Sequence, residues 1–198
     1  KFNVEEKIIN YSFEDKKLLK TYLKITKEIL VPSLKSQINK NFKWGLIINA
    51  EDIKYVYKYL NIDFIPFKNK NDFFKYVKSN NINIQTRHDI DDYMSELYIE
   101  KIQETYKENI KKYDKFLIQA QPLKFYYHTN EEVKMKTYTD TRNSMFISLC
   151  QKIVNYSIFK EKHHEMYKVT NNIITLNEGY VKWVIHGNNI SCKNNTKL

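Results

Sequence analysis

Three carboxylates fall within four positions, Asp89, Asp91 and Asp92, in the run Thr86-Arg87-His88-Asp89-Ile90-Asp91-Asp92. Their mutual repulsion is tolerated chiefly where a cation or hydrogen-bond donors offset it. Hard carboxylate oxygens suit magnesium or manganese, which keep coordination positions open for the phosphate oxygens of a substrate. The same residues also fit a solvated acidic turn that caps a following helix, where negative charge favours the helix dipole. Arg87 precedes the cluster and is placed to pair with Asp89 or Asp91, or to reach a diphosphate oxygen. Arg142-Asn143-Ser144 reads either as a helix start offering backbone amides and a guanidinium to a phosphate, or as an ordinary start capped by Asp140 or Thr141. His186, followed by Gly187 and Asn188, is a structural imidazole or a metal ligand aimed by a tight turn. Glu178, in Asn177-Glu178-Gly179, is a solvated turn glutamate or a general base for an acceptor hydroxyl. His163 and His164, beside Glu165, point apart if they share a helix and read as surface residues.

The elements that must position these groups alternate. Apolar residues recur at helical spacing from Phe13 to Leu34, predicting a long helix that ends near Pro32. Phe42 to Asn49 is a short continuous apolar run, as in a buried parallel strand. A helix over Asp52 to Leu60, a short strand at Phe64-Ile65-Pro66 and a helix over Asp72 to Lys78 come next. Ile82 to Arg87 alternates and runs straight into the carboxylates, which places them at a strand's C-terminal end. A helix is predicted from Ser95 to Tyr113, then strands at Phe116 to Ala120 and Leu123 to Tyr127 joined as a hairpin around Gln121-Pro122. Thr141 to Cys150 reads as a loop entering a helix, and Trp183 to His186 as a late strand or turn. Strand and helix in alternation predict an α/β fold, a central mostly parallel sheet with helices on both faces, and ligands collect outside the carboxyl ends of such strands.

Composition narrows the classes. The chain has 198 residues, 42% hydrophobic and 15% aromatic, enough apolar side chain to fill the core of one domain. With 3 Gly and 3 Pro no Gly-rich phosphate loop of the P-loop or dinucleotide kind can be written. The net charge of +10 invites a polyanion. However, the cations are scattered lysines, with Arg87 and Arg142 the two arginines, so base-edge recognition by guanidinium forks is not expected and no nucleic-acid partner is predicted. Cys150 and Cys192 are far apart, suggesting free thiols in a reducing compartment. No apolar run approaches the roughly 18 residues of a membrane span, and no signal-peptide pattern opens the chain, so the expectation is a cytoplasmic protein.

The run Arg87-His88-Asp89-Ile90-Asp91-Asp92 resembles the R-x-D-x-D-D signature of the rhamnosyltransferase family, a group of GT-A glycosyltransferases. Leu30-Val31-Pro32-Ser33-Leu34-Lys35-Ser36-Gln37, followed by Asn41-Phe42-Lys43-Trp44, is similar to that family's block ahead of the second strand. Trp183-Val184-Ile185-His186-Gly187-Asn188-Asn189-Ile190-Ser191 resembles its closing block. The resemblance implies a single GT-A-like domain over residues 1–198, excised from a longer protein, since family members extend past the closing histidine. It implies that Asp89 faces the nucleotide's ribose, that Asp91 reaches a Mn2+ or Mg2+ ion, that Asp92 supports both and that His186 adds a ligand. Arg87, Arg142 and Ser144 then serve the donor, with Asp91 and Glu178 the catalytic pair. The implied reaction moves a hexose or deoxyhexose, such as rhamnose, from a nucleotide diphosphate sugar to a hydroxyl of a glycan or glycoprotein. A more distant likeness is to the N-terminal glycosyltransferase domain of large DNA-virus proteins that decorate capsids with sugars, which would place the chain in a host cytoplasm. Two other classes share the carboxylates or the charge: a metal-dependent phosphoesterase or nuclease, and a basic binding module without catalysis.

Overall fold

The apolar run read as a buried strand is one. Strand β2 (Phe42–Ile47) is buried over its last four residues and pairs in parallel with β1 (Phe2–Lys7), which pairs in parallel with β4 (Ile84–Asp89). The computed structural model describes residues 2–7, 16–126, 129, 131–133 and 146–185. Helix α1 (Lys16–Ile25) is followed by a π-helical turn (Thr26–Leu30), α2 (Val31–Ser36), β2, α3 (Ile53–Leu60), β3 (Ile65–Phe67) and α4 (Lys70–Ser79) before β4 is reached. Beyond it come β5 (Tyr93–Met94), α5 (Tyr98–Asn109), β6 (Lys115–Tyr126), β7 (Glu131–Val133), β8 (Ile147–Gln151), a 3-10 helix (His163–Lys168) and β9 (Ile173–Ile185). One sheet holds the strands in the order β3-β2-β1-β4-β8-β6-β9-β5, with β7 beside β6.

The fold class is α/β as expected, but the sheet is not mostly parallel. Its first half, β3-β2-β1-β4, is parallel, whereas β8 runs antiparallel to both β4 and β6, and β5 runs antiparallel to β9. The parallel pairing of β6 with β9 lies across that antiparallel insertion. Helices cover both faces. Leu23, Leu30, Val56, Leu60, Ile99 and Ile102 from α1 to α3 and α5 pack in one apolar cluster, while Phe73 and Val77 of α4 pack with Ile158, Phe159 and Met166 in another.

Three predicted elements are corrected. The first helix does not end at Pro32; the helical path continues to Ser36. Pro32 lacks the N–H an α-helical turn would donate, and the chain widens just ahead of it, Val31 donating to the Thr26 carbonyl five residues back. Thr26 Oγ1 in turn donates to the Tyr22 carbonyl at 2.8 Å. The hairpin around Pro122 does not form, because Lys115–Tyr126 is one strand that passes through the proline. Pairing with β8 stops at Gln119, and the register with β9 breaks between Ala120 and Pro122, so the proline sits at an irregularity that tolerates it. Finally, Ile147–Gln151 is not the entry to a helix but a strand buried at every position.

Two glycines carry geometry. A Cβ on Gly45 would stand 2.6 Å from the Phe67 ring, so its absence lets β2 and β3 close up. Gly179 has φ of +102°, a backbone state that side chains resist.

Candidate functional site

Strand β4 delivers the acidic run to the C-terminal edge of the parallel half. Alternate residues of a strand face opposite sides, and β4 uses both. Gln85 accepts from the Ile158 N–H at 3.0 Å and donates to the Tyr156 carbonyl at 2.9 Å. Two residues on, the Arg87 guanidinium lies 5.3 Å from the Phe159 ring centre and donates to the Glu161 carbonyl at 3.5 Å. Gln85 and Arg87 thus bind the segment from Tyr156 to Glu161 along one face. Arg87 is buried there, and stacking on an aromatic face suits a weakly hydrated guanidinium.

On the opposite face Thr86 and Ser148 share a hydroxyl hydrogen bond of 2.8 Å. His88 is fully buried, edge-on to Phe146 at 5.0 Å, with Nδ1 2.8 Å from the Asp89 carbonyl oxygen. Burial lowers its pKa to about 4, against the opposing pull of backbone hydrogen bonds and of the Asp91 charge. The imidazole is therefore neutral near pH 7 and donates through Nδ1.

The chain then turns. Asp92 donates its N–H to the Asp89 carbonyl at 3.2 Å, and Ile90 tucks into the core between the two. Asp89 is half-buried, Asp91 is 8% exposed and Asp92 is 1% exposed. Asp92 Oδ1 accepts the Val184 N–H at 2.9 Å, which ties the turn to the end of β9. Burial first, then the charges of Asp91 and Asp89, hold the Asp92 carboxyl well above the usual carboxylate range, with the Val184 hydrogen bond opposing.

A second buried amide positions the next bend of the chain. Gln37 at the end of α2 is fully buried, donates to the Ser33 and Ser95 carbonyls at 2.9 and 2.6 Å and accepts the Ile99 N–H at 3.1 Å. It fastens the turn between β5 and α5, immediately downstream of the carboxylates. Sequence reasoning gives neither Gln37 nor Gln85 a role, although Gln37 closes the Leu30 to Gln37 block. Both lie in mostly polar stretches of sequence, so only the structure shows that each amide is buried and hydrogen-bonded on both sides.

The candidate residues divide. Asp89, Asp91, Asp92 and Arg87 lie on β4 and its turn. Glu178 belongs to a four-residue excursion of β9, residues 177 to 180, that stands opposite the single residue Gln121 between the pairs Ala120–Leu176 and Pro122–Val181. Val184, which holds Asp92, pairs with Phe125. Four residues of β6 separate these levels, roughly 13 Å at ~3.3 Å per residue, so the register does not bring Glu178 together with the acidic turn. Its neighbours Asn177, Gly179 and Tyr180 line a cavity of about 550 Å3 with Ser36, Ser95, Glu96, Leu97 and Tyr93, the residue after Asp92. His163 begins the 3-10 helix, where Glu165 pairs with Lys168 at 2.7 Å. Arg142, Ser144, His186 and Cys192 lie outside the described residues, although His186 comes directly after the end of β9. Among the described residues no three His, Cys, Asp or Glu side chains converge as a metal site. None of the described helices is long and apolar enough to cross a membrane.

The mixed sheet in the order given, with an acidic turn after β4, is an α/β fold that this chain shares with solved structures. The solved structures that share it include S. aureus TarS. TarS 1–349 in complex with UDP-GlcNAc superposes with a TM-score of 0.57 at 13% identity, over 96% of this chain and 60% of that one. TarS 1–349 alone gives 0.54 at 15% identity over 93% and 60%, and a further TarS structure gives 0.53 at 13% over 93% and 37%. This chain thus spans between 37% and 60% of the TarS chains it matches. No family model matches the sequence, and neither does any curated protein. At such identities the likeness establishes the fold.

Proposed function

We propose that this chain is a metal-dependent glycosyltransferase domain that moves a hexose or deoxyhexose from a nucleotide diphosphate sugar to a hydroxyl of a glycan or glycoprotein. The observation that carries the reading is the acidic turn itself: Asp89, Asp91 and Asp92 sit at the C-terminal end of β4, tied through Asp92 to the end of β9, in a fold shared with a protein solved with UDP-GlcNAc.

The donor set fits a hard divalent ion in part. Burial first, and then the Asp91 and Asp89 charges, raise the Asp92 carboxyl, and a cation at the turn would relieve both the desolvation and the repulsion among the three carboxylates. Two carboxylates leave room for phosphate and water oxygens, as Mg2+ and Mn2+ sites commonly do. In this reading Asp91 ligates and Asp92 orients. Bound there, the ion supplies electrostatic stabilisation of a departing nucleoside diphosphate. Asp89 contacts the donor's ribose, and His186, Arg142 and Ser144 are proposed as further donor or metal contacts. Arg87 is proposed as a donor contact that also has a structural part. Stacked on Phe159 and hydrogen-bonded to Glu161, it places the 156–161 segment beside the site.

Calorimetry with UDP, UDP-GlcNAc and dTDP-rhamnose, each with manganese and with EDTA, tests the reading. Manganese-dependent binding of one or more of these is expected. Equal or absent binding in both conditions would sink it. The pattern among the three also separates a rhamnosyl donor from an N-acetylhexosamine donor.

A further inference from the structure

Next to the acidic turn the sheet edge carries a composite surface of aromatic rings and paired charge. Lys182 of β9 is the cross-strand partner of Tyr93 on β5 and of Leu123 on β6. Its Nζ lies 4.8 Å from the centre of the Tyr93 ring and 5.7 Å from that of Phe125, and it forms an ion pair with Glu132 of β7. Phe125 is in turn the cross-strand partner of Glu132. Four strands therefore converge on one ammonium group. Tyr93 comes directly after Asp92 in sequence. Val184, whose N–H Asp92 holds, is two residues along β9 from Lys182, roughly 7 Å at ~3.3 Å per residue and on the same strand face.

We propose that Tyr93, Phe125, Lys182 and Glu132 form the subsite for the acceptor sugar, and that the acceptor is a neutral, hydroxyl-rich hexose unit. This rests on the glycosyltransferase reading above. The chemistry of the surface selects the ligand class. Tyr93 and Phe125 are half-buried, each with the Lys182 ammonium over its ring, and what remains exposed of them is apolar surface of the kind that the C–H face of a pyranose covers. Glu132 accepts hydrogen bonds, Lys182 donates them and the Tyr93 hydroxyl does both, a mixture that matches sugar hydroxyls. Because Lys182 is paired with Glu132, the subsite has no net charge to hold a phosphorylated or carboxylated acceptor, and the Glu132 carboxylate, 46% exposed, opposes one. The rings hold the sugar and the ion pair orients it, one pleat from the carboxylates where transfer would occur.

Saturation-transfer NMR on the full chain tests this with methyl glucoside, methyl galactoside, methyl mannoside and methyl rhamnoside as neutral probes and ribose 5-phosphate as the anionic one. Transfer to the ring protons of one or more methyl glycosides is expected, falling at least fivefold in Tyr93→Ala and Phe125→Leu. Glu132→Gln should lower it too while strengthening ribose 5-phosphate. Circular dichroism and manganese-dependent UDP binding, measured in parallel, establish that each variant is folded. If Tyr93→Ala does not fold, Phe125→Leu and Glu132→Gln decide the matter. No transfer to any methyl glycoside, transfer unchanged in the folded variants, or preference of the wild type for ribose 5-phosphate would each overturn the proposal. Failure of UDP to bind while methyl glycosides still bind at Tyr93 would instead remove the transferase reading and leave a sugar-binding surface.

Discussion

The Asp92 carboxylate accepts the backbone N–H of Val184 at 2.9 Å, which makes one buried side chain the link between the acidic turn after β4 and the last strand of the sheet. The hydrogen bond and the charge of Asp92 have separable consequences. Burial raises its folded pKa above the unfolded value of 3.8, so the stability it contributes is complete below that value and is lost as pH rises through the folded pKa. Without metal, the charged form of Asp92 thus weighs against the fold. Asp92→Asn keeps an oxygen for Val184 and removes the charge. In EDTA at pH 8 it should melt at least about 2 °C above wild type, the gap closing toward pH 4. Asp92→Ala leaves a buried N–H without its acceptor and should cost about 1–3 kcal/mol. Thermal unfolding followed by circular dichroism across pH reads both, and an Asn variant no more stable than wild type at pH 8 would refute the assignment.

Asp91 behaves in the opposite sense. It has slight solvent access and, in the proposed reading, meets the ion directly. Asp91→Ala should leave the melting temperature in EDTA within about 2 °C of wild type, because it removes one of three mutually repelling carboxylates as well as the contacts of a small side chain. Manganese-dependent affinity for a nucleoside diphosphate should fall by at least about tenfold, a loss of roughly 1.4 kcal/mol. Unchanged calorimetric affinity would remove Asp91 as a ligand.

His88 gives the fold an acid limit. Its pKa is depressed from 6.5 to about 4 by burial, so the stability it contributes is present above 6.5 and is lost as pH falls toward 4. The full swing is on the order of 3 kcal/mol at 1.36 kcal/mol per unit. Unfolding by urea in EDTA should show stability declining from about pH 6.5 downward, with His88→Asn starting lower but showing a flatter decline. Equal slopes in the two proteins would mean that another group titrates.

These residues are unequally legible in sequence. The carboxylates and the end of β4 can be read, because a strand alternating into an acidic run is a local pattern. Trp183 to His186 reads only as a late strand or turn, whereas β9 runs from Ile173 to Ile185. Ile147–Gln151 cannot be read: a strand buried on both faces has no alternation to find. Pro122 misleads because proline reads as a breaker, whereas its tolerance comes from partners on β8 and β9 that are distant in sequence. Pro32 misleads for a related reason, its missing donor being absorbed by a π turn. The site's supports, Gln37 and Gln85, act between segments about sixty to seventy residues apart, and no local window carries that information. The subsite around Lys182 likewise exists only through the pairing of four strands.

Glu178 is the residue on which pattern and register part most sharply. An inverting transferase needs a base within hydrogen-bond reach of the acceptor hydroxyl, and by sequence a polar turn shortly before His186 suits that role. The strand pairing sets that turn opposite Gln121, while the acidic turn is held at the level of Phe125 and Val184. The two levels are roughly 13 Å apart along the sheet at ~3.3 Å per residue. Its neighbour Tyr180 is instead committed to the far side of β5, where the Ser95 N–H donates to its carbonyl at 2.8 Å. Glu178→Gln should therefore change kcat by less than about threefold and leave donor affinity unchanged, with the turn's own conformation preserved because Gly179 supplies its positive φ. Steady-state transfer from the donor identified by calorimetry measures this. A fall in kcat of about 10²-fold or more, of the size general-base loss produces, would return Glu178 to the reaction and require the 177–180 excursion to swing toward the carboxylates when substrates bind.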